Sequence, residues 1–141
     1  MTFESAIQHF STCGLRVSDV QSYLDAGGDI NHRGSRKAWP LLHFAAENCD
    51  HDVIRLLAAR GADLRAKDQS GWTALHVATD TDLDTSGRGG RRATDLPTVR
   101  LLIELGTDGT EQTTDGLTAR DIAISYGEEA LFDSVLRCRA F

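Results

Sequence analysis

The apolar positions of this chain fall into short helical clusters rather than alternating runs. Val53, Leu56 and Leu57 stand at i, i+3 and i+4, which is one face of a helix. Comparable spacing recurs in pairs of segments. The first member of each pair is expected near 3–12, 41–48, 74–81 and 119–126, and the second near 18–26, 51–60, 96–105 and 128–137. Gly27, Gly61 and Gly106 follow three of the second members and suit the left-handed position just past a helix. Ser18 and Gln21 have the spacing of a capping box. No single pair can bury its apolar face, so the pairs must stack on one another.

The pairs are copies of one unit. "SYLDAGGDIN" (22–31), "LLAARGADLR" (56–65) and "LLIELGTDGT" (101–110) share an apolar helix tail followed by glycine. His43 and His76 are 33 residues apart, Gly27 and Gly61 are 34 apart, and Gly61 and Gly106 are 45 apart. The 12-residue excess lies between His76 and Gly106, and is placed at about Asp82 to Ala93. Asp95 is in position to cap the helix that follows, whose first turn tolerates Pro97.

A period of 33 with "TALHVA" (73–78), and its variants "PLLHFAA" (40–46) and "LTARDIA" (117–123), resembles the ankyrin-repeat family. The resemblance covers nearly the whole chain, with a degenerate first copy. It implies an all-α repeat solenoid: a single domain, 1–141, of four helix-turn-helix repeats joined by β-turn fingers. The repeats fall roughly at 1–32, 33–66, 67–111 and 112–141, and the 82–93 insertion sits between helices A and B of the third.

Composition narrows the function classes. A 141-residue chain that is 40% hydrophobic and 26% charged reads as one globular domain. A formal charge of −6 disfavours nucleic acid and anionic membranes. An RNA-like role for the single Arg-Gly-Gly is the weaker alternative, and a filter-binding assay without salt-dependent affinity removes it. No apolar run is long enough to span a bilayer. The start, "MTFESAIQHF", does not read as a signal peptide, and Cys13, Cys49 and Cys138 read as reduced thiols. The expectation is a cytoplasmic protein, monomeric on its own. Thirteen arginines against two lysines fit a GC-rich, bacterial source, in which a small binder could neutralise a toxin or effector enzyme.

Candidate chemistry is sparse. By the resemblance, His43 and His76 occupy a slot whose imidazole hydrogen-bonds the adjacent turn, and Asp121 replaces them in the last copy. His9, His32 and His51 have no ligand spacing, so no metal is expected. "GRGGRR" lacks the ending of a phosphate loop, and there is no nucleophile elbow. No cofactor and no catalysis are expected, and the residual enzyme alternative would need Asp80 and His51 to converge in the groove.

The expected partner is another protein. The resemblance places Trp39, Trp72 and Leu117 in one row at the base of the fingers, facing the concave groove, where large aromatics would anchor a partner. The fingers carry Arg33, Arg36 and Lys37 in the first, then Arg65, Lys67 and Gln69 in the second. Groove-facing positions of helix A correspond to Glu47 and Asn48, Asp80 and Thr81, Ser125 and Tyr126. Arg88, Arg91 and Arg92 of the insertion complete the candidate contact set.

Overall fold

The computed structural model describes residues 16–33, 39–88, 95–107 and 109–137. They form seven helices: α1 (Val17–Asp25), α2 (Leu41–Glu47), α3 (His51–Ala59), α4 (Ala74–Arg88), α5 (Pro97–Glu104), α6 (Ala119–Ser125) and α7 (Glu129–Arg137). No strand occurs among these residues. The expected helix at 3–12 lies outside them. None of the described helices is long and apolar enough to cross a membrane.

The helices make two layers. The A helices α2, α4 and α6 pack on one another, the B helices α1, α3, α5 and α7 do likewise, and each A helix packs on its own B partner. Small side chains permit the close A–A approach: Ala45, Ala46, Ala78, Thr79 and Ala123 are fully buried. Each B helix turns one stripe inward, namely Val20/Tyr23, Val53/Leu57, Val99/Leu102/Ile103 and Phe132/Val135. A fully buried aliphatic or aromatic side chain contributes about 1.5–3 kcal/mol, so these stripes hold the layers together. Ile124 takes the slot of Ala46 and Thr79 but is 43% exposed, because no described helix packs beyond α6.

Glycine ends the B helices as expected. Gly27, Gly61 and Gly106 have φ of 89°, 87° and 115°, and each amide donates back into its helix. The next amide reaches one residue further, to Tyr23, Leu57 and Leu102 respectively. This pair of bonds is the Schellman arrangement, which requires a left-handed residue. α2 ends the same way, yet its left-handed residue is Cys49, with φ of 55°.

The third A helix departs from expectation. It does not stop near Thr81 but runs 15 residues to Arg88. The first seven residues of the 82–93 tract therefore continue helix A rather than forming a loop. Leu83 lies two turns on from Leu75, on the same face, and is buried like it. Where α2 turns at Cys49, the equivalent residue of α4, Asp82, stays helical and sends its carboxylate to the start of α5. There Asp82 Oδ2 accepts from Thr98 N at 3.0 Å and Val99 N at 3.1 Å. Pro97 at the first helical position has no N–H to satisfy, so one oxygen serves both open amides of the first turn. Asp95 is not the cap: it accepts from the adjacent Leu96 N and from Arg100.

Candidate protein-binding groove

The β-turn fingers set one wall of the site. In the second finger Asp68 N donates to Trp72 O at 2.9 Å, and in the third Thr113 N donates to Leu117 O at 2.9 Å. Asp68 Oδ1 also accepts from Ser70 N and Trp72 N, which fixes the turn. Gly71 is required there twice over. Its φ is 79°, and a Cβ would stand 2.6 Å from Thr114 N of the next finger.

Each finger is tied to the next. Trp39 Nε1 donates to Asp68 Oδ2 at 2.8 Å. Arg33 donates to the Lys67 carbonyl, and Lys67 Nζ donates to Gln112 O at 2.8 Å, beside Glu111 at 3.5 Å. The histidines add a buried tie below. His43 Nε2 bonds Trp72 O at 2.7 Å, and His76 Nε2 bonds Leu117 O at 2.9 Å. Asp121, in the same slot of the last copy, closes on its own helix instead, through a capping box with Thr118.

Burial holds both histidines below the ordinary imidazole value of 6.5. The neutral ring, with Nε2–H donating, is therefore the folded form. The unfolded chain takes up protons below about 6.5, so this stabilisation is complete above that pH and declines as pH falls toward the folded-state values. We expect the thermal midpoint to fall between about pH 7.5 and pH 5.5 at constant ionic strength. A variant with both rings replaced by glutamine should show a flatter profile. Asp82, raised by burial above the usual carboxylate value, acts in the opposite direction.

The two rings differ in one respect. His76 Nδ1 accepts from Thr73 N and bonds Thr73 Oγ1 at 2.8 Å. His43 Nδ1 is buried without a partner, since Pro40 occupies the threonine slot and offers neither N–H nor hydroxyl. Pro40→Thr should restore about 1 kcal/mol of hydrogen bonding, less the roughly 0.4–1 kcal/mol that proline contributes by stiffening the unfolded chain. Chemical denaturation should show a small net gain, and a loss would contradict this account of the orphaned nitrogen.

Between the fingers and the A helices lies an open groove of about 340 Å³. It brings together five of the residues expected to face it, Trp39 and Trp72 from the fingers with Glu47 from α2 and Asp80 and Thr81 from α4. Asp68, Ser70 and Val77 also line it, and the sequence reading had not singled them out. Asp80 Oδ1 accepts from Tyr126 OH at 2.8 Å, joining the palm of α4 to the end of α6.

The row of three large side chains is graded in exposure. Trp39 is only 6% exposed, Trp72 is half-buried and Leu117 is 43% exposed. Trp39 is thus not the exposed anchor expected of it. The second finger covers it, its indole is bonded to Asp68, and its ring stands edge-on to Phe44 at 5.2 Å. Arg33 and Lys67 are likewise engaged in finger-to-finger bonds. Asn48, Gln69 and Tyr126 are exposed. Arg88 ends α4, while Arg36, Lys37, Arg91 and Arg92 lie outside the described residues.

Asp80 and His51 do not converge. Asp80 lines the groove, whereas His51 lies in a separate surface depression with Cys49 and Asp52, its Nε2 bonded to Thr98 Oγ1 at 2.9 Å. Cys49 Sγ donates to Asp82 Oδ1 at 3.8 Å, and burial raises its thiol above the ordinary value. That is the protonated donor of a capping network rather than an activated nucleophile. Among the described residues no group of three His, Cys, Asp or Glu could hold a metal ion.

Comparison with known proteins adds an independent line. A family model described as ankyrin repeats, in three copies, matches residues 11–85. The chain is 33% identical over 64 residues to protein phosphatase 1 regulatory subunit 12A of Rattus norvegicus, covering 45% of this chain and 6% of that protein. It is 38% identical over 64 residues to inversin of Gallus gallus, with the same coverage. It is 31% identical over 70 residues to SH3 and multiple ankyrin repeat domains protein 1 of Homo sapiens, covering 50% of this chain and 3% of that protein. The chain thus spans only a small part of the length of these relatives.

Proposed function

Because the chain belongs to the ankyrin-repeat family, whose members generally serve as protein-interaction modules, we propose that it binds a partner protein in the groove between its fingers and A helices. The observation that supports this most is the cross-bracing of that surface. Finger-to-finger bonds and histidine ties hold it in place before any partner arrives, which limits the ordering cost of association. The groove combines half-buried aromatic surface with carboxylates, and Leu117, in the slot that follows Trp72, and Tyr126, bonded to the groove residue Asp80, are exposed to 43% and 41%. A partner that is itself an enzyme would be inhibited wherever the groove covers its active site, which is the form the neutralising role takes.

Affinity capture from the native cell extract tests the reading. The bait pair is the intact protein and a Leu117→Arg, Tyr126→Ala variant. Trp39 is left untouched because its removal would disturb the fold. The intact protein should recover a partner that the variant loses, with both baits sharing one thermal midpoint. Equal recovery by the two would remove the groove as the contact surface. If the captured partner is an enzyme, its activity in the complex decides the inhibitory form.

A further inference from the structure

We propose that the Trp72 indole N–H donates to a main-chain carbonyl in an extended segment of the partner. The inference rests on the groove being the partner surface and specifies one bond made there. Trp39 and Trp72 are 33 residues apart and hold the same pose. Their ring centroids stand 5.9 Å from those of His43 and His76, at 49° and 45° respectively. Trp39 Nε1 donates to Asp68 Oδ2 of the next finger at 2.8 Å. The slot of Asp68 recurs 45 residues on, at Thr113 of the third finger. Asp68 has two oxygens: Oδ1 takes Trp72 N of its own turn, which leaves Oδ2 for the indole. Thr113 has only Oγ1, which takes Leu117 N at 3.2 Å. Every hydrogen bond of Trp72 runs through its main chain, so among the described residues its indole N–H has no acceptor.

The same surface shows what such donors meet. Arg33, His43, Lys67 and His76 each send a side-chain donor from one copy to a main-chain carbonyl of the next, those of Lys67, Trp72, Gln112 and Leu117. The Trp72 indole continues this series with an acceptor from outside the chain. An anionic acceptor is disfavoured by the net charge of −6. A helical segment has already spent its interior carbonyls on its own amides, whereas an extended one offers them at regular intervals. Trp72 is half-buried and lines the groove, so a bound partner strips water from its N–H. A segment that brings no carbonyl there leaves the donor unpaired and is selected against.

The chain has two tryptophans, so ¹⁵N-labelled protein shows two indole N–H resonances. In the free protein the Trp72 indole N–H should exchange with water much faster than that of Trp39. The probe is the purified partner from the affinity capture. Its addition should move the Trp72 indole proton downfield and leave that of Trp39 in place. Thr113→Asp gives the third finger the acceptor that the second has. It should engage the indole within the chain, slow its exchange and weaken the partner about ten-fold. Thr113→Asn keeps an oxygen for Leu117 N but turns a donor toward the indole, and should bind like the intact chain. In a Trp72→Phe background Thr113→Asp should have no further effect. A Trp72 indole proton that stays put on binding overturns the proposal, whatever the variants do. So does full affinity in Thr113→Asp with its indole engaged, or a loss that persists in the Trp72→Phe background, which would be charge repulsion. Alanine replacement of the partner's Asn, Gln, Asp and Glu residues at the contact should leave the shift intact, and its loss would assign a side-chain acceptor instead. If the Leu117→Arg, Tyr126→Ala variant loses the partner while these tests fail, the groove stands and only this bond falls. If that variant binds normally, the broader reading fails first.

Discussion

Asp82→Ala should lower the unfolding free energy by about 3 kcal/mol, the larger of two effects expected from single changes. One carboxylate oxygen satisfies Thr98 N and Val99 N at the start of α5, and the side chain comes from a residue only 5% exposed. Removing it strands two amides, each costing roughly 1–3 kcal/mol when buried and unpaired. Relief of the buried charge offsets part of this, because burial raises the Asp82 carboxyl above its usual value. Asp82→Asn is the informative control. Its amide oxygen can still accept both bonds, so it should cost less than half as much. Equal losses for alanine and asparagine in denaturant titrations would mean that acceptance by the side chain is not what holds α5.

His76→Leu should cost nearly as much, and its effect should be local. Leucine fills a similar volume, so the loss is that of paired polar groups. Leu117 O loses its donor, while Thr73 N and Oγ1 lose their acceptor in a site where both residues are buried. Stranding these groups outweighs the apolar gain, for a net of about 2–3 kcal/mol. Each copy in such a stack leans on its neighbours alone, so the damage should concentrate in α6 and α7. Native-state hydrogen exchange should show those helices opening well before α3 and α5, and uniform loss of protection would contradict the view of His76 as the tie between the last two copies.

Much of the fold was legible in the letters. The i, i+3, i+4 stripes and the glycines after α1, α3 and α5 located six of the described helices and the start of α4 to within a residue or two, because both signals are local. What was missed depends on contacts between copies. Asp95 read as the cap of α5 because it sits beside Pro97, whereas the true acceptor, Asp82, lies 16 residues before Thr98. Continuation of α4 was hidden by the polar run after Thr79, although Leu75, Thr79 and Leu83 keep helical spacing and all three are buried. For the site, the palm positions Glu47 and Asp80 and the indole of Trp72 reach the groove from slot matching alone. Trp39 failed because a slot says which way a side chain faces, not what the next finger lays over it. Leu117, with no further finger described beyond it, shows the same slot uncovered.

The central claim is that the partner docks between the fingers and the A helices. Titration calorimetry with the captured partner tests it most directly, using three proteins of equal thermal stability: the intact chain, a Glu47→Lys, Asp80→Lys groove variant, and an Asp52→Lys, Arg55→Glu variant on the exposed face of α3. Groove reversal should weaken binding by a factor of 100 or more, as expected when roughly 3 kcal/mol of contact energy is lost, while the α3 variant should bind like the intact chain. Loss of affinity in the α3 variant, with the groove variant unaffected, would place the interface on the B-helix layer and contradict the account.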